Sequence, residues 1–410
     1  MRIIFTILFF LASINIPAQT EYRIAPRTTD NSIDKWPEDH YVYVNNSIPE
    51  SGRLLLFFAG SGHTPDYDLL ILKQAANKGY KAIGLRYPNS FSLSDLCSKS
   101  TDSSCYEKVR MEMWDGTDRT GLISVSKANS VENRLTKLLI YLKANYPEAN
   151  WGRYINLDNT INWQYIVVAG HSLGGGMAAM IAHLNRVARV AMFSAPTDYS
   201  DYFNKPAFWL SKQHQTPPDH FYGFAHVKDG IQRYKEIWTD LGMDAFGPLI
   251  NIDSISVFYP TTHMLSTLET PDQPADYHGS VVVDASTPKL PDGTPVFRRI
   301  WEYMGFPVVI IDHVKRSSEI PEGYSLEQNY PNPFNSTTAF TFSIPVTIRI
   351  RLAVIDVLGN EIALLIDGEK SQGLYTVHFD AERYNLTAGV YFYRMSAGKF
   401  VNIRKMIYLK

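Results

Sequence analysis

The sequence holds only two cysteines in 410 residues. That excludes a disulfide scaffold and a cysteine-ligated zinc cluster. It has no run of 18 apolar residues, so no membrane-spanning helix is expected. It also lacks an excess of charge of one sign: 39 Lys and Arg stand against 41 Asp and Glu, a net charge of −2. A protein held to nucleic acid by its phosphates needs a basic surplus, so the balance argues against that class. What is present is a globular composition, 45% hydrophobic and 20% charged. The chain is long enough for two or three domains, each with its own core.

The N-terminus carries an address. Arg2 precedes an apolar run from Ile3 to Ile14, interrupted by Thr6 and Ser13, and Pro17-Ala18 follows. This pattern predicts a secretory signal peptide over residues 1–18, cleaved after Ala18. Export places the protein in an oxidising compartment, so Cys97 and Cys105 are expected to pair in a short loop within the polar stretch Ser94 to Ser104.

The texture changes after Arg316. Residues 317–323 are polar, contain Pro321 and Gly323, and read as a linker. Residues 324–410 then show short β runs, such as Thr338 to Ile344, Ile348 to Val357, Gly373 to Phe379 and Gly389 to Ser396, divided by turn residues. This pattern predicts a small all-β sandwich. It opens with Tyr324-Ser-Leu-Glu-Gln-Asn-Tyr-Pro-Asn-Pro-Phe-Asn335, holds Val354-Ile-Asp-Val-Leu-Gly359 midway, and has Gly389-Val-Tyr-Phe-Tyr-Arg394 late. These segments resemble the C-terminal sorting domain of type IX secretion cargo. The resemblance implies engagement with the secretion machinery, passage across the outer membrane, and release or attachment at the cell surface.

The middle of the chain alternates strand and helix patterns, which predicts a doubly wound, mostly parallel sheet. Strands are read at Tyr41 to Val44, Arg53 to Ala59, Lys81 to Tyr87, Tyr165 to Ala169, Val190 to Ser194, Phe221 to Val227 and, last, Leu249 to Ile252. Helices are read at Leu69 to Asn77, Ser130 to Asn145, from Met177, and at Ile231 to Leu241. The core strands are apolar throughout, as burial on both faces requires. Between the fourth strand and its helix lies Gly170-His171-Ser172-Leu173-Gly174, a G-x-S-x-G motif in a strand–turn–helix context. The turn is too sharp for side chains two residues either side of Ser172. It holds the serine hydroxyl above the sheet, and the Leu173 N–H at the helix start is free to donate to an oxyanion.

On these residues the chain over 19–316 resembles a serine hydrolase of the α/β-hydrolase superfamily. The resemblance implies a nucleophile at Ser172 and oxyanion donors at the Leu173 and Ser61 N–H groups. Ser61 comes from Ala59-Gly60-Ser61-Gly62, where Ala59 stands in place of the more common histidine. It also implies an acid and then a histidine further along the chain. Asp229, after Phe221 to Val227, is the favoured acid, with Asp198 second and Asp201 and Asp253 behind. His278 is the favoured base, with His263 as the alternative. His171, His220 and His226 are read as structural. The aromatic-rich segment from Asp198 to Phe221 reads as either a cap over the site or a helix packed on the sheet. Asp115 and Asp118 lack calcium-loop spacing and read as solvated. No cofactor and no metal is expected. The functional expectation is a secreted ester hydrolase acting through an acyl-enzyme. Left open beside it are a non-catalytic surface binding protein on the same frame, and a peptidase or acyltransferase using the same triad.

Overall fold

A computed structural model describes residues 19–410 except 49, 255–261, 308–310, 313–320, 322, 336, 382–383, 385 and 410. The expected signal peptide and most of the expected linker lie outside the described residues. In chain order the first unit runs β1 (Thr20–Ile24), α1 (Pro26–Thr29), β2 (His40–Val44), β3 (Leu54–Phe58), α2 (Leu69–Ala76) and β4 (Lys81–Gly84). Next come α3 (Leu93–Cys97), α4 (Cys105–Asp115), α5 (Val131–Asn145), β5 (Ile166–His171), α6 (Leu173–Leu184) and β6 (Arg189–Phe193). A small hairpin of β7 (Tyr199–Ser200) and β8 (Lys205–Pro206) follows, then β9 (Phe221–His226), α7 (Ile231–Asp240), β10 (Ile250–Asn251), β11 (Met264–Thr267) and α8 (Arg298–Met304).

Nine strands form one sheet in the order β1-β2-β4-β3-β5-β6-β9-β11-β10. Only β2 runs against the others; from β4 onward every pairing is parallel. Strand β3 shows why the sheet is sandwiched. Leu54, Leu56 and Phe58 join the core shared with α4, α5 and α6, while Leu55 and Phe57 join the core shared with α2 and α8. All five are at most 1% exposed. Alternate side chains of one strand thus bury in two separate cores, which is why the strand is apolar at every position.

Three local readings are corrected. The strand expected at Leu249 to Ile252 is only a two-residue edge, β10, and the four-residue β11 lies between it and β9. The polar stretch around the cysteines is not a plain loop. Cys97 ends α3, Cys105 begins α4, and the disulfide between them joins the two helix ends. The segment after Asp198 holds the β7–β8 hairpin and turns, with a single 3₁₀ turn at Pro218–His220, so the packed helix is not there.

The C-terminal part is all β: β12 (Ile311–Asp312), β13 (Ser325–Leu326), β14 (Phe334–Asn335), β15 (Thr337–Ile344), β16 (Ile348–Ile355), β17 (Glu361–Lys370), β18 (Gly373–Asp380), β19 (Gly389–Ala397) and β20 (Phe400–Leu409). They form a four-stranded sheet, β12-β18-β15-β13, and a five-stranded one, β14-β20-β19-β16-β17. The inward residues of both, including Phe340, Phe342, Leu352, Tyr393 and Met406, make one shared core.

Candidate active site

Parallel strands place all their C-terminal ends on one edge of the sheet, and the loops leaving that edge can converge. Ser172 sits there, between β5 and α6, with φ 53° and ψ −118°. This conformation strains a side-chain-bearing residue and persists only where its surroundings impose it. The Ser172 N–H donates to Phe193 O at 2.9 Å, and Ser172 O accepts from the Gly176 N–H at 3.1 Å. Glycine is obligatory at Gly174, where a Cβ would stand 2.1 Å from Phe58 O. The same crowding holds at Gly170, where a Cβ would meet the Gly174 carbonyl carbon at 2.5 Å.

The loop after β3 passes directly against the serine: a Cβ on Gly60 would lie 3.6 Å from Ser172 Cβ. Asn89 fixes this loop by donating from Nδ2 to Gly60 O at 2.7 Å and His63 O at 2.8 Å, while its own carbonyl accepts from the Gly62 N–H at 2.7 Å. Tyr87 adds a hydrogen bond from its hydroxyl to Ala59 O at 2.6 Å. Ser61 stands exposed at the bend of this pinned loop, and Leu173 opens α6, where first-turn N–H groups have no intrahelical acceptor.

Asp229 and His278 meet. His278 Nδ1 and Asp229 Oδ2 are 2.9 Å apart, and the Tyr234 hydroxyl donates to the same carboxylate oxygen at 2.9 Å. Tyr234 stacks on Trp238 and is buried. Burial, with the Asp229 charge beside it, pushes its hydroxyl well above the usual tyrosine range, so it stays a donor. Gly230, with φ 74°, makes the turn that lets Asp229 end the strand loop just before α7.

Asp198 is elsewhere engaged. It is fully buried in a two-pronged pair with Arg110, with Nε to Oδ2 at 2.7 Å and Nη2 bonded to Oδ1, and it accepts from Trp209 Nε1 at 2.9 Å. Arg110 also donates to Leu173 O at 3.1 Å. Asp201 pairs with Arg233 at 2.9 Å, and Asp253 accepts from Thr267 Oγ1 at 2.7 Å. Asp115 pairs with Arg119 at 2.6 Å.

The other histidines sort by position. His263 precedes β11 and so stands at the N-terminal edge of the parallel sheet, opposite the Ser172 edge. It is sandwiched between Tyr222 and Phe246, and burial lowers its pKa to about 4. His171 shares a 3.0 Å hydrogen bond from Nε2 to His278 O, so the residue beside the serine holds the peptide of the residue bonded to Asp229. Burial, then the nearby His278, keeps His171 well below the usual histidine range, and the neutral ring donates through Nε2. His226 bonds Glu269 O through Nε2 at 3.1 Å and accepts from the Lys228 N–H at 3.0 Å. His220 Nδ1 lies 3.3 Å from Val187 O.

The His278 segment is anchored at a distance. Asp284 accepts from the Leu69 and Leu70 N–H groups at 3.0 Å each, capping α2, and Trp301 Nε1 donates to Val281 O at 2.8 Å. Burial raises the Asp284 carboxyl to about 6. Sequence reasoning missed Tyr234, Arg110, Asn89 and Asp284. Only Asn89 left a local signal, Tyr87-Pro-Asn89 at the end of a core strand.

The strand order, with one reversed strand near the edge and a serine turn after β5, is that of the α/β-hydrolase fold. Residues 328–409 match the family model of the secretion system C-terminal sorting domain. The chain is therefore type IX secretion cargo, delivered to the cell exterior or surface. Among the described residues no helix is long and apolar enough to cross a membrane. No curated protein matches the chain. Solved structures similar to it include a Klebsiella pneumoniae protein assigned as a dienelactone hydrolase, at 9% identity over 68% of this chain and 94% of that one, with a TM-score of 0.34. A bacterial heroin esterase is 14% identical over 66% of this chain and 80% of its own, at 0.30. Esterase LipW from Mycobacterium marinum is 11% identical over 70% and 80%, at 0.31. At these scores the fold assignment rests on the strand order.

Proposed function

We propose that the chain is a secreted serine hydrolase that cleaves carboxylic esters through an acyl-enzyme on Ser172. The observation that carries this reading is the 2.9 Å Asp229–His278 pair, on a loop that His171 ties to the strained serine turn. In the reaction His278 takes the Ser172 proton as Oγ attacks the ester carbonyl. Asp229, oriented by the Tyr234 hydroxyl, holds the imidazole in the productive tautomer and stabilises the imidazolium. The Leu173 and Ser61 N–H groups receive the developing oxyanion. Collapse expels the alcohol, which takes the proton from His278. Water then attacks the acyl-serine, giving up its proton to the same imidazole; the acyl–Oγ bond breaks, Ser172 Oγ takes that proton back from His278, and the carboxylic acid leaves. The test is pre-steady-state turnover of an aryl acetate. A burst of phenol equal to the enzyme concentration is expected, and Ser172→Ala should abolish it and lower kcat by roughly 10⁴-fold or more. A purified Ser172→Ala protein with more than a few per cent of the activity would overturn the assignment.

A further inference from the structure

Single exposed apolar side chains are ordinary, so it is their placement that carries information. In the α/β unit the exposed aromatic side chains, among the described residues, are Tyr67, Tyr202 and Phe208, at 46%, 59% and 36% exposure. All three lie on loops leaving the C-terminal ends of parallel strands: Tyr67 after β3, Tyr202 and Phe208 after β6. Strands β3 and β6 are the two neighbours of β5, whose end carries Ser172. The strands that lead into these loops therefore flank β5 on both sides along the sheet.

Short chains of contact connect them to the site. Tyr67 stacks on His63 with centroids 4.1 Å apart, and the His63 ring is 6.4 Å from that of His171, the neighbour of Ser172. On the other side, consecutive residues of α7 hold hairpin and site together: Arg233 bonds Asp201 at 2.9 Å and Tyr234 bonds Asp229 at 2.9 Å. The hairpin rings are fixed. Phe203 packs edge-on against Tyr202 at 4.9 Å and against Phe208 at 5.3 Å, and the Lys205 ammonium lies 3.8 Å from the Phe208 centroid.

The chemistry around these rings selects the ligand. A lipid surface wants a contiguous aliphatic patch. Here each ring is bordered by exposed polar groups: Asp66, next to Tyr67 in the chain, and, on the hairpin, Asp201 next to Tyr202 and Lys205 over the Phe208 ring. Apolar faces interleaved with donors and acceptors match a pyranose, whose C–H face stacks on an aromatic ring while its hydroxyls reach polar neighbours. Adjacent strands are about 4.8 Å apart, so β3 and β6 lie about 10 Å from each other before their loops diverge. A ligand touching both sides of the serine is a chain and not a small alcohol.

The geometry points to an O-acylated polysaccharide as the substrate, its sugar rings resting on Tyr67 and on Tyr202 and Phe208 with the ester at Ser172. This rests on the serine-hydrolase reading. In its terms the acyl carbon–sugar oxygen bond breaks as the acyl–Ser172 bond forms, the sugar oxygen takes the proton from His278, and water releases the carboxylate. The substrate class fits delivery outside the cell, where such polymers remain.

The experiment uses the exported full chain and compares acetate release from acetylated xylan and acetylated pectin with hydrolysis of 4-nitrophenyl acetate. The expected result is turnover of an acetylated polymer. The ratio of polymer to small-ester kcat/KM should fall about tenfold or more in Tyr202→Ala/Phe208→Ala, mostly through KM, as loss of two stacking contacts predicts. Tyr67→Ala should lower the same ratio, and unfolding midpoints should fall by a few degrees at most, since each ring is at least a third exposed. Hydrolysis of 4-nitrophenyl acetate without acetate release from either polymer overturns this inference and leaves the hydrolase reading intact. So does a polymer ratio that the variants do not change, or a dependence on Tyr202 seen only with emulsified long-chain triacylglycerol. Failure on every ester overturns both.

Discussion

Replacing Asp198 with alanine separates its structural role from the catalytic one proposed for Asp229. The Asp198 carboxylate is fully buried, takes both prongs of Arg110 and accepts the Trp209 indole N–H. Its removal leaves a guanidinium in the core without a counter-charge, at a cost of about 3–5 kcal/mol. The orphaned indole N–H adds about 1 kcal/mol or more. At roughly 2–4 °C per kcal/mol for a unit of this size, the unfolding midpoint should drop by ~10–20 °C. The assay is thermal and urea unfolding followed by circular dichroism, with kcat measured well below the midpoint. There Asp198→Ala should keep kcat within about tenfold of the parent, since Arg110 meets the serine turn at the Leu173 carbonyl and beside Gly176, away from the Asp229–His278 pair. Asp229→Asn should do the reverse: a midpoint within a few degrees and kcat down by roughly 10³–10⁴-fold. Arg110→Met combined with Asp198→Leu, which removes both charges, should recover most of the lost stability. A stable, inactive Asp198→Ala beside an active Asp229→Asn would refute the reasoning and move the acid to Asp198.

His278→Ala is expected to be about as inactive as Ser172→Ala, because the members of the proposed triad would act as a unit. His263→Ala should lose about 1–3 kcal/mol of stability from its aromatic sandwich and keep kcat, and paired kinetics and melting curves decide it. The pH dependence of stability should carry a contribution from Asp284. Its folded pKa of about 6 lies above the ordinary 3.8, so the stability it contributes is complete below about pH 4 and lost as pH rises through 6. The two-unit difference corresponds to about 3 kcal/mol, so Asp284→Asn should gain on the parent protein between pH 4 and 7 in urea titrations, and a flat difference would contradict this. Removing residues 324–410 should leave aryl-ester hydrolysis unchanged in purified protein and stop delivery in the native host, read by fractionating cells and medium.

How much of this was legible in the sequence depended on distance along the chain. The Ser172 turn could be read locally because its requirements are local: a core strand, two glycines where any Cβ would strike the backbone, and a helix of small residues. The C-terminal module was legible for a similar reason, since its strands alternate with turn residues and its opening segment has a distinctive order. The apolar-throughout strands announced a sheet buried on both faces, and it is so buried.

The sequence ranks Asp229 ahead of Asp198 and His278 ahead of His263, but it does not show which carboxylate and which imidazole meet. Asp198 and Asp229 both follow strands that end on the same edge; their order along the chain ranks Asp229 first but does not show what else holds Asp198. Its partner is Arg110, which approaches Asp198 from a helix 88 residues earlier. His278, followed by small residues and an apolar run, already ranks above His263 among its apolar neighbours, but their places on the sheet show only once β11 is seen. A four-residue strand is too short to show a period, yet it places His263 at the opposite edge of the sheet from Ser172. The sequence by itself determined the fold class, the serine turn and the sorting module, because sterics and hydrophobic pattern act over a few residues. Only the tertiary structure decided that Asp229 faces His278 across 49 residues, that Tyr234 and His171 steady them, and that Asp198 belongs to Arg110. Those pairings depend on strand order and on which buried charge finds its partner, and both are settled only when the whole sheet has closed.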